Sequence, residues 1–165
     1  MRSITNCLLV AGLLLAQSAW AQSPSVTSTL QAQRVDVVAG NAVRKPADAG
    51  KPGDVVEYTG TYRNVGTTAA GKLLATIPVP VGTTFVDGSV APAGAQASTD
   101  GVRFAAMPLL RTVRQADGST RQEPLPLAEY RYLRWELGSL AAGGEAVVRL
   151  RVRIDSAAET ASVRP

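Results

Sequence analysis

The sequence predicts an all-β fold, a sandwich or a barrel, and three observations carry that expectation. Between residues 30 and 155 short runs alternate apolar and polar side chains with period two, as strands with one buried and one wet face do. Gly, Pro and Asp clusters punctuate those runs at short, regular spacing. No stretch of the same region holds a convincing helical period, and no internal repeat divides it, so one domain of about seven to nine strands is expected.

Residues 1–21 stand apart from that pattern and read as a cleavable signal peptide. Arg2 gives the positive start, Cys7-Leu8-Leu9-Val10-Ala11-Gly12-Leu13-Leu14-Leu15-Ala16 the apolar core, and Ala19-Trp20-Ala21 the small-x-small cleavage site. The apolar run is too short to span a bilayer, which takes about 20 such residues. Cys7 lies inside the run with no Leu-Ala-Gly-type box before it, which argues against a lipid anchor. The expected product starts near Gln22, is not an integral membrane protein, and resides in the periplasm or outside the cell.

Residues 22–29, Ser/Thr-rich with Pro24, read as a flexible leader. A first strand is expected over 30–38. Lys51-Pro52-Gly53-Asp54 marks a turn into a strand over 55–64. That strand places Val56, Tyr58, Gly60 and Tyr62 on one face and Val55, Glu57, Thr59, Thr61 and Arg63 on the other. Strands over 72–79 and 82–86 are separated by Pro78 and Pro80, which a central strand does not tolerate. Residues 87–101 form a Gly/Ala/Ser loop and 102–106 a short segment. Runs at 109–114 and 120–123 flank Asp117-Gly118, a hairpin signal, and the stretch 107–127 looks inserted before the penultimate strand. The clearest strands are 130–137 and 145–155, and 156–165 is a tail. A chain with one cysteine, lost with the signal, must be held by its core, and a domain of this size buries about two-thirds of its chain surface. Val56, Tyr58, Tyr62, Trp135, Leu150 and Val152 are the expected core, with Trp135 filling the space that inward Gly60 leaves.

Several landmarks in order resemble the conserved-repeat domain of unknown function found in bacterial surface proteins. They are Pro52-Gly53-Asp54-Val55-Val56-Glu57-Tyr58-Thr59, Asn64-Val65-Gly66, Val81-Gly82-Thr83-Thr84-Phe85-Val86, Trp135-Glu136-Leu137-Gly138-Ser139-Leu140 and Gly143-Gly144-Glu145. The resemblance covers about residues 35–155 and implies an immunoglobulin-like β-sandwich used as a spacer or adhesive module, with no catalytic residues. This chain departs from the family in holding one copy rather than a tandem array, in the insertion at 107–127, and in Gly60, where the family places a bulky aliphatic residue.

The missing chemistry narrows the function. With no histidine, and no cysteine after the signal, Ser-His-Asp and Cys-His arrangements are impossible and zinc and copper lose their usual ligands. No Ser stands three residues before Lys45, Lys51 or Lys72. A hydrolase built on acids such as Glu129 and Glu136 needs two carboxylates about 5–9 Å apart across a cleft, and solvated turn or strand acids account for each of them. Asp87-Gly88-Ser89, Asp100-Gly101 and Asp117-Gly118-Ser119 each offer one carboxylate, far short of the six to eight oxygens calcium takes. The expectation is a protein without a cofactor that is not an enzyme.

The chemistry that is present is basic: Lys+Arg number 17 against 13 Asp+Glu. In Val148-Arg149-Leu150-Arg151-Val152-Arg153-Ile154 the apolar residues point inward and three arginines outward, rooted along about 13 Å of strand. Arg134, beside Tyr132, and Arg111, Arg114 and Arg121 of the inserted hairpin are added to one candidate anion-binding face. Arginine forks suit carboxylates and phosphates, so an anionic glycan or an envelope protein is the expected partner. The plainer account of such a stripe is a solvated sheet face that deters edge pairing. Nucleic acid does not fit a chain that leaves the cytoplasm. A different class of function, a periplasmic chaperone or assembly factor working by β-strand addition, fits the same sequence.

Overall fold

The computed structural model describes residues 25–156 apart from Gly40 and Ala49; the signal peptide and most of the leader and tail read from the sequence lie outside them. Eleven strands follow one another: β1 (Val26–Val38), β2 (Asn41–Pro46), β3 (Val55–Asn64), β4 (Ala70–Pro78), β5 (Thr83–Phe85), β6 (Gln96–Ser98), β7 (Ala105–Ala106), β8 (Leu110–Arg114), β9 (Thr120–Pro124), β10 (Tyr132–Leu140) and β11 (Glu145–Ile154). A single 3-10 turn, Leu127–Glu129, interrupts them. No helix among the described residues is long and apolar enough to cross a membrane.

The strands pair antiparallel into a five-stranded sheet, β2-β1-β3-β11-β5, and a four-stranded sheet, β4-β10-β6-β7; β8 and β9 form a hairpin of their own. The fold is an all-β sandwich. Alternation along β3, β10 and β11 turns one side of each sheet inward, and the two inward sides meet. Val56, Phe85, Val148, Leu150 and Val152 of the first sheet pack against Ala75, Ile77, Leu133 and Trp135 of the second, all buried. Tyr58 and Tyr62 lie half-buried against this core. The indole of Trp135 donates to the Pro92 carbonyl at 2.9 Å, so its one polar atom is satisfied inside.

The space above Gly60 is filled differently from the sequence-based expectation. A Cβ there would stand 3.2–3.3 Å from Val148, Ile77 and Tyr62, so these three occupy the place assigned to Trp135, which stands beside Ala75 within the four-stranded sheet. The Asn64-Val65-Gly66 landmark also has a structural cause. Asn64 is fully buried; its amide donates to the Thr68 and Leu140 carbonyls and its side-chain oxygen accepts from the Gly66 N–H, tying two loops together.

Two strands, β2 and β6, go beyond those expected, and their positions explain it. β2 is exposed throughout and β1 through Ala32 almost so, apart from half-buried Val26. Both are held by backbone pairing, as at Val35↔Arg44 and Leu30↔Gly60, which leaves no alternation of burial to read. β1 therefore begins at Val26, inside the segment read as leader. β6 is three residues hidden in the loop 87–101.

Candidate functional site

The sandwich divides the seven arginines read from the sequence. Arg149, Arg151 and Arg153 line the outer face of the five-stranded sheet, because Val148, Leu150 and Val152 between them are buried. Arg134 lies between buried Leu133 and Trp135 on the outer face of the four-stranded sheet, across the core. There its Nη2 donates to Gln96 Oε1 at 2.8 Å and its guanidinium stacks 3.9 Å from the Phe104 ring centre. The hairpin arginines form a third group. Arg111 stands 3.7 Å from Glu129, Arg121 pairs with Glu123, and Arg114 has no ion pair among the described residues. One face does not hold all seven.

On the five-stranded sheet the register builds a clamp. Glu57 stands directly opposite Arg151 on β11, and Arg44 reaches it from β2 across β1. Arg44 Nε donates to Glu57 Oε1 at 2.6 Å and Arg151 Nε to Oε2 at 2.9 Å. Glu57, on the face read as wet, is only 5% exposed. Burial pushes its carboxyl up, and the hydrogen bonds from Arg44 and then Arg151 more than offset this, so it lies below the ordinary carboxylate range. Val35, opposite Arg44 on this outer side, is buried as well, as expected beneath a long arginine stem crossing β1.

Arg149, two residues from Arg151, is exposed and has no carboxylate within ion-pair distance among the described residues. It sits opposite Thr59, which pairs in turn with Gln31. Along the same face Thr61 stands opposite Thr29 and Arg63 opposite Thr27 and Glu145. Arg63, like Arg149, is exposed and free of an ion pair. The result is a sheet face of Thr and Gln hydroxyls and amides, with Val147 opposite Thr61 and the exposed carboxylate of Glu145 opposite Arg63, on which two guanidiniums without ion pairs are rooted about 14 Å apart.

Compared with known proteins, the chain matches no family model, no curated protein and no solved structure.

The three Asp-Gly loops are turns whose carboxylates serve their own backbone. Asp87 accepts from the Gly88 N–H, Asp117 from the Ser119 N–H and hydroxyl, and Asp100 from the N–H groups of Val102 and Arg103. The Arg103 and Val102 N–H groups and the Ser98 hydroxyl hold Asp100 far below the usual carboxylate range. No cluster of three or more metal-ligating side chains occurs among the described residues. The sequence reading missed the Glu57 clamp and the free Arg63. The signal for Arg63 was present, since it shares the outward set of β3, but Arg44 lies on a strand with no pattern to announce it.

Proposed function

We propose that this protein is an exported, non-catalytic binding module of the bacterial cell envelope that holds an anionic glycan on the outer face of its five-stranded sheet. The observation that carries the reading is the pair Arg149 and Arg63, exposed and unpaired on a face otherwise rich in Thr and Gln. Guanidinium groups bind carboxylates as forks, and hydroxyl and amide groups between them suit the neutral parts of a sugar chain. Arg151 and Arg44 share the single charge of Glu57, so the clamp keeps one positive charge in excess, but their Nε groups are bound to that carboxylate and fix the sheet beneath. The signal peptide and the resemblance to surface-protein repeat domains support the location.

Individual exposed ion pairs contribute only about 0–1 kcal/mol, so binding must come from several contacts and fade with salt. The chain is expected to be retained on an immobilised polyuronate at low ionic strength and released as salt rises, with no retention on neutral dextran. The double change Arg63→Gln, Arg149→Gln should abolish retention and leave the circular dichroism spectrum unchanged. Retention that persists in the double variant removes the reading. One observation favours strand addition instead: among the described residues β4 ends its sheet with an unpaired edge and leaves Leu74 half-exposed. That reading predicts capture of unfolded clients which salt does not release.

A further inference from the structure

The inserted hairpin builds something that the glycan reading does not use. Its base is fixed to the core: Tyr130, buried and stacked 5.8 Å from Phe85, accepts the Leu109 N–H at 2.8 Å, and the Leu125 N–H donates to the Leu109 carbonyl at 2.7 Å. A cleft of about 210 Å³ opens between this base and the loop after β6. Phe104, Leu109, Leu110 and Leu125 line it with apolar side chains, and Thr99, Asp100 and Arg103 with polar ones. Leu110 is 56% exposed, and the Arg103 side chain 91%.

The wall is held in place from behind. Gln96 accepts from Arg134, and Arg134 lies over the Phe104 ring. Arg134 has no carboxylate partner among the described residues, and its buried Nε has no hydrogen-bond acceptor. Arg103 is oriented by Asp100, which accepts its Nε at 3.2 Å and leaves its two Nη groups facing solvent. The Asp100 carboxylate, already accepting the Val102 and Arg103 N–H groups and the Ser98 hydroxyl, balances one of the two guanidiniums. Within the cleft Arg103 and Asp100 balance; the excess positive charge is that of Arg134, which lies behind the Phe104 ring and outside the lining.

We infer that this cleft binds a ring-sized monocarboxylate with an apolar body, its carboxylate on the Nη edge of Arg103 and its ring against Phe104 and the three leucines. Size supports the match, since a cavity of roughly 150 Å³ lined by similar side chains holds benzene and a carboxylate needs little more. Polarity does too. A sugar acid of equal charge brings hydroxyls on every side, and the apolar wall offers them no partners. Arg134 acts as a positioning residue, holding Phe104 and adding charge without touching the ligand.

The test is a titration of the isotope-labelled full chain, followed by amide chemical shifts, with benzoate, neutral benzamide and glucuronate as probes. Benzoate should give saturable shifts at Thr99, Arg103, Phe104, Leu109, Leu110 and Leu125. Benzamide, of the same shape without the charge, should bind at least about five-fold more weakly, the ratio set by one charge-assisted contact at an open site. Arg103→Gln should bring benzoate down to the affinity of benzamide while leaving benzamide unchanged, and so exposed a side chain can change without disturbing the fold. Leu110→Asp should weaken both. Equal binding of benzoate and benzamide, saturation by glucuronate instead, or an Arg103→Gln variant that binds benzoate as the parent does would each overturn the inference. The glycan reading rests on the opposite sheet, so Arg63→Gln with Arg149→Gln should leave benzoate binding intact, and the two proposals fail separately.

Discussion

Arg149 and Arg151 occupy the same face of the same strand two residues apart, and they work in opposite ways. Arg151 stands opposite a carboxylate that is 5% exposed, and its guanidinium closes over it. Arg149 stands opposite a threonine, is exposed, and forms no ion pair among the described residues. The difference comes from the neighbouring strands. Glu57 needs two guanidiniums to be tolerable in a site shielded from water, and β2 supplies the second by laying Arg44 across β1. Alternation along a strand tells which way an arginine points; whether its charge is free depends on register with strands distant in sequence. The four-stranded sheet repeats the lesson, because Arg134 also points outward and holds Phe104 and Gln96.

The comparison predicts a hierarchy of effects, with the core above both arginines. Trp135 is 2% exposed and its indole N–H is bonded, so Trp135→Ala empties a large volume and strands the Pro92 carbonyl. The loss should be about 3–5 kcal/mol, measured by urea unfolding followed by circular dichroism. A loss under 1 kcal/mol would mean that the sheets do not close over Trp135.

Glu57 comes next. Glu57→Gln keeps the shape and removes the charge that both arginines face, leaving Arg44 and Arg151 side by side. Their side chains are 45% and 36% exposed, so water recovers part of the loss, and about 1–2 kcal/mol is expected. The pH dependence gives an independent reading. The folded-state value of Glu57 is depressed, so its contribution is complete above the unfolded value of about 4.3 and is lost as pH falls through the folded one. Unfolding measured from pH 7 downward should show the parent losing stability in that acid range and Glu57→Gln losing less. Parallel curves would show that the clamp does not couple to folding.

How much of this was legible in the sequence follows from what each residue is bound to. β3, β10 and β11 were readable because each buries one face, so the core residues Val56, Trp135, Leu150 and Val152 could be named. The Asp117-Gly118 hairpin was readable because tight turns draw on those residue types, although the Gln115–Ser119 backbone bond leaves a three-residue loop, 116–118, with Gly118 at φ 85°, rather than the expected two-residue turn. β2 was not. It is an exposed edge carrying Lys45 and Pro46, the composition that keeps edges from pairing further, and such composition does not differ from a loop's. With β2 unseen, Arg44 and hence the burial of Glu57 were out of reach. The grouping of seven arginines failed for a related reason: outwardness on two strands fixes no common face when the strands belong to different sheets.

The smallest effect is the sharpest test of the comparison. Arg149→Gln removes an exposed side chain that forms no ion pair among the described residues. Stability should change by no more than about 0.5 kcal/mol, as for surface substitutions away from special features. Its midpoint of salt release from polyuronate should nevertheless fall, because one of the two free guanidiniums has gone. Arg151→Gln should do the reverse. It should lower stability through Glu57 and move the salt midpoint less than Arg149→Gln does, since its guanidinium is engaged by Glu57. A variant pair that moves together on both measurements would mean that the face acts only through its total charge, and the distinction between the two arginines would then have no functional content.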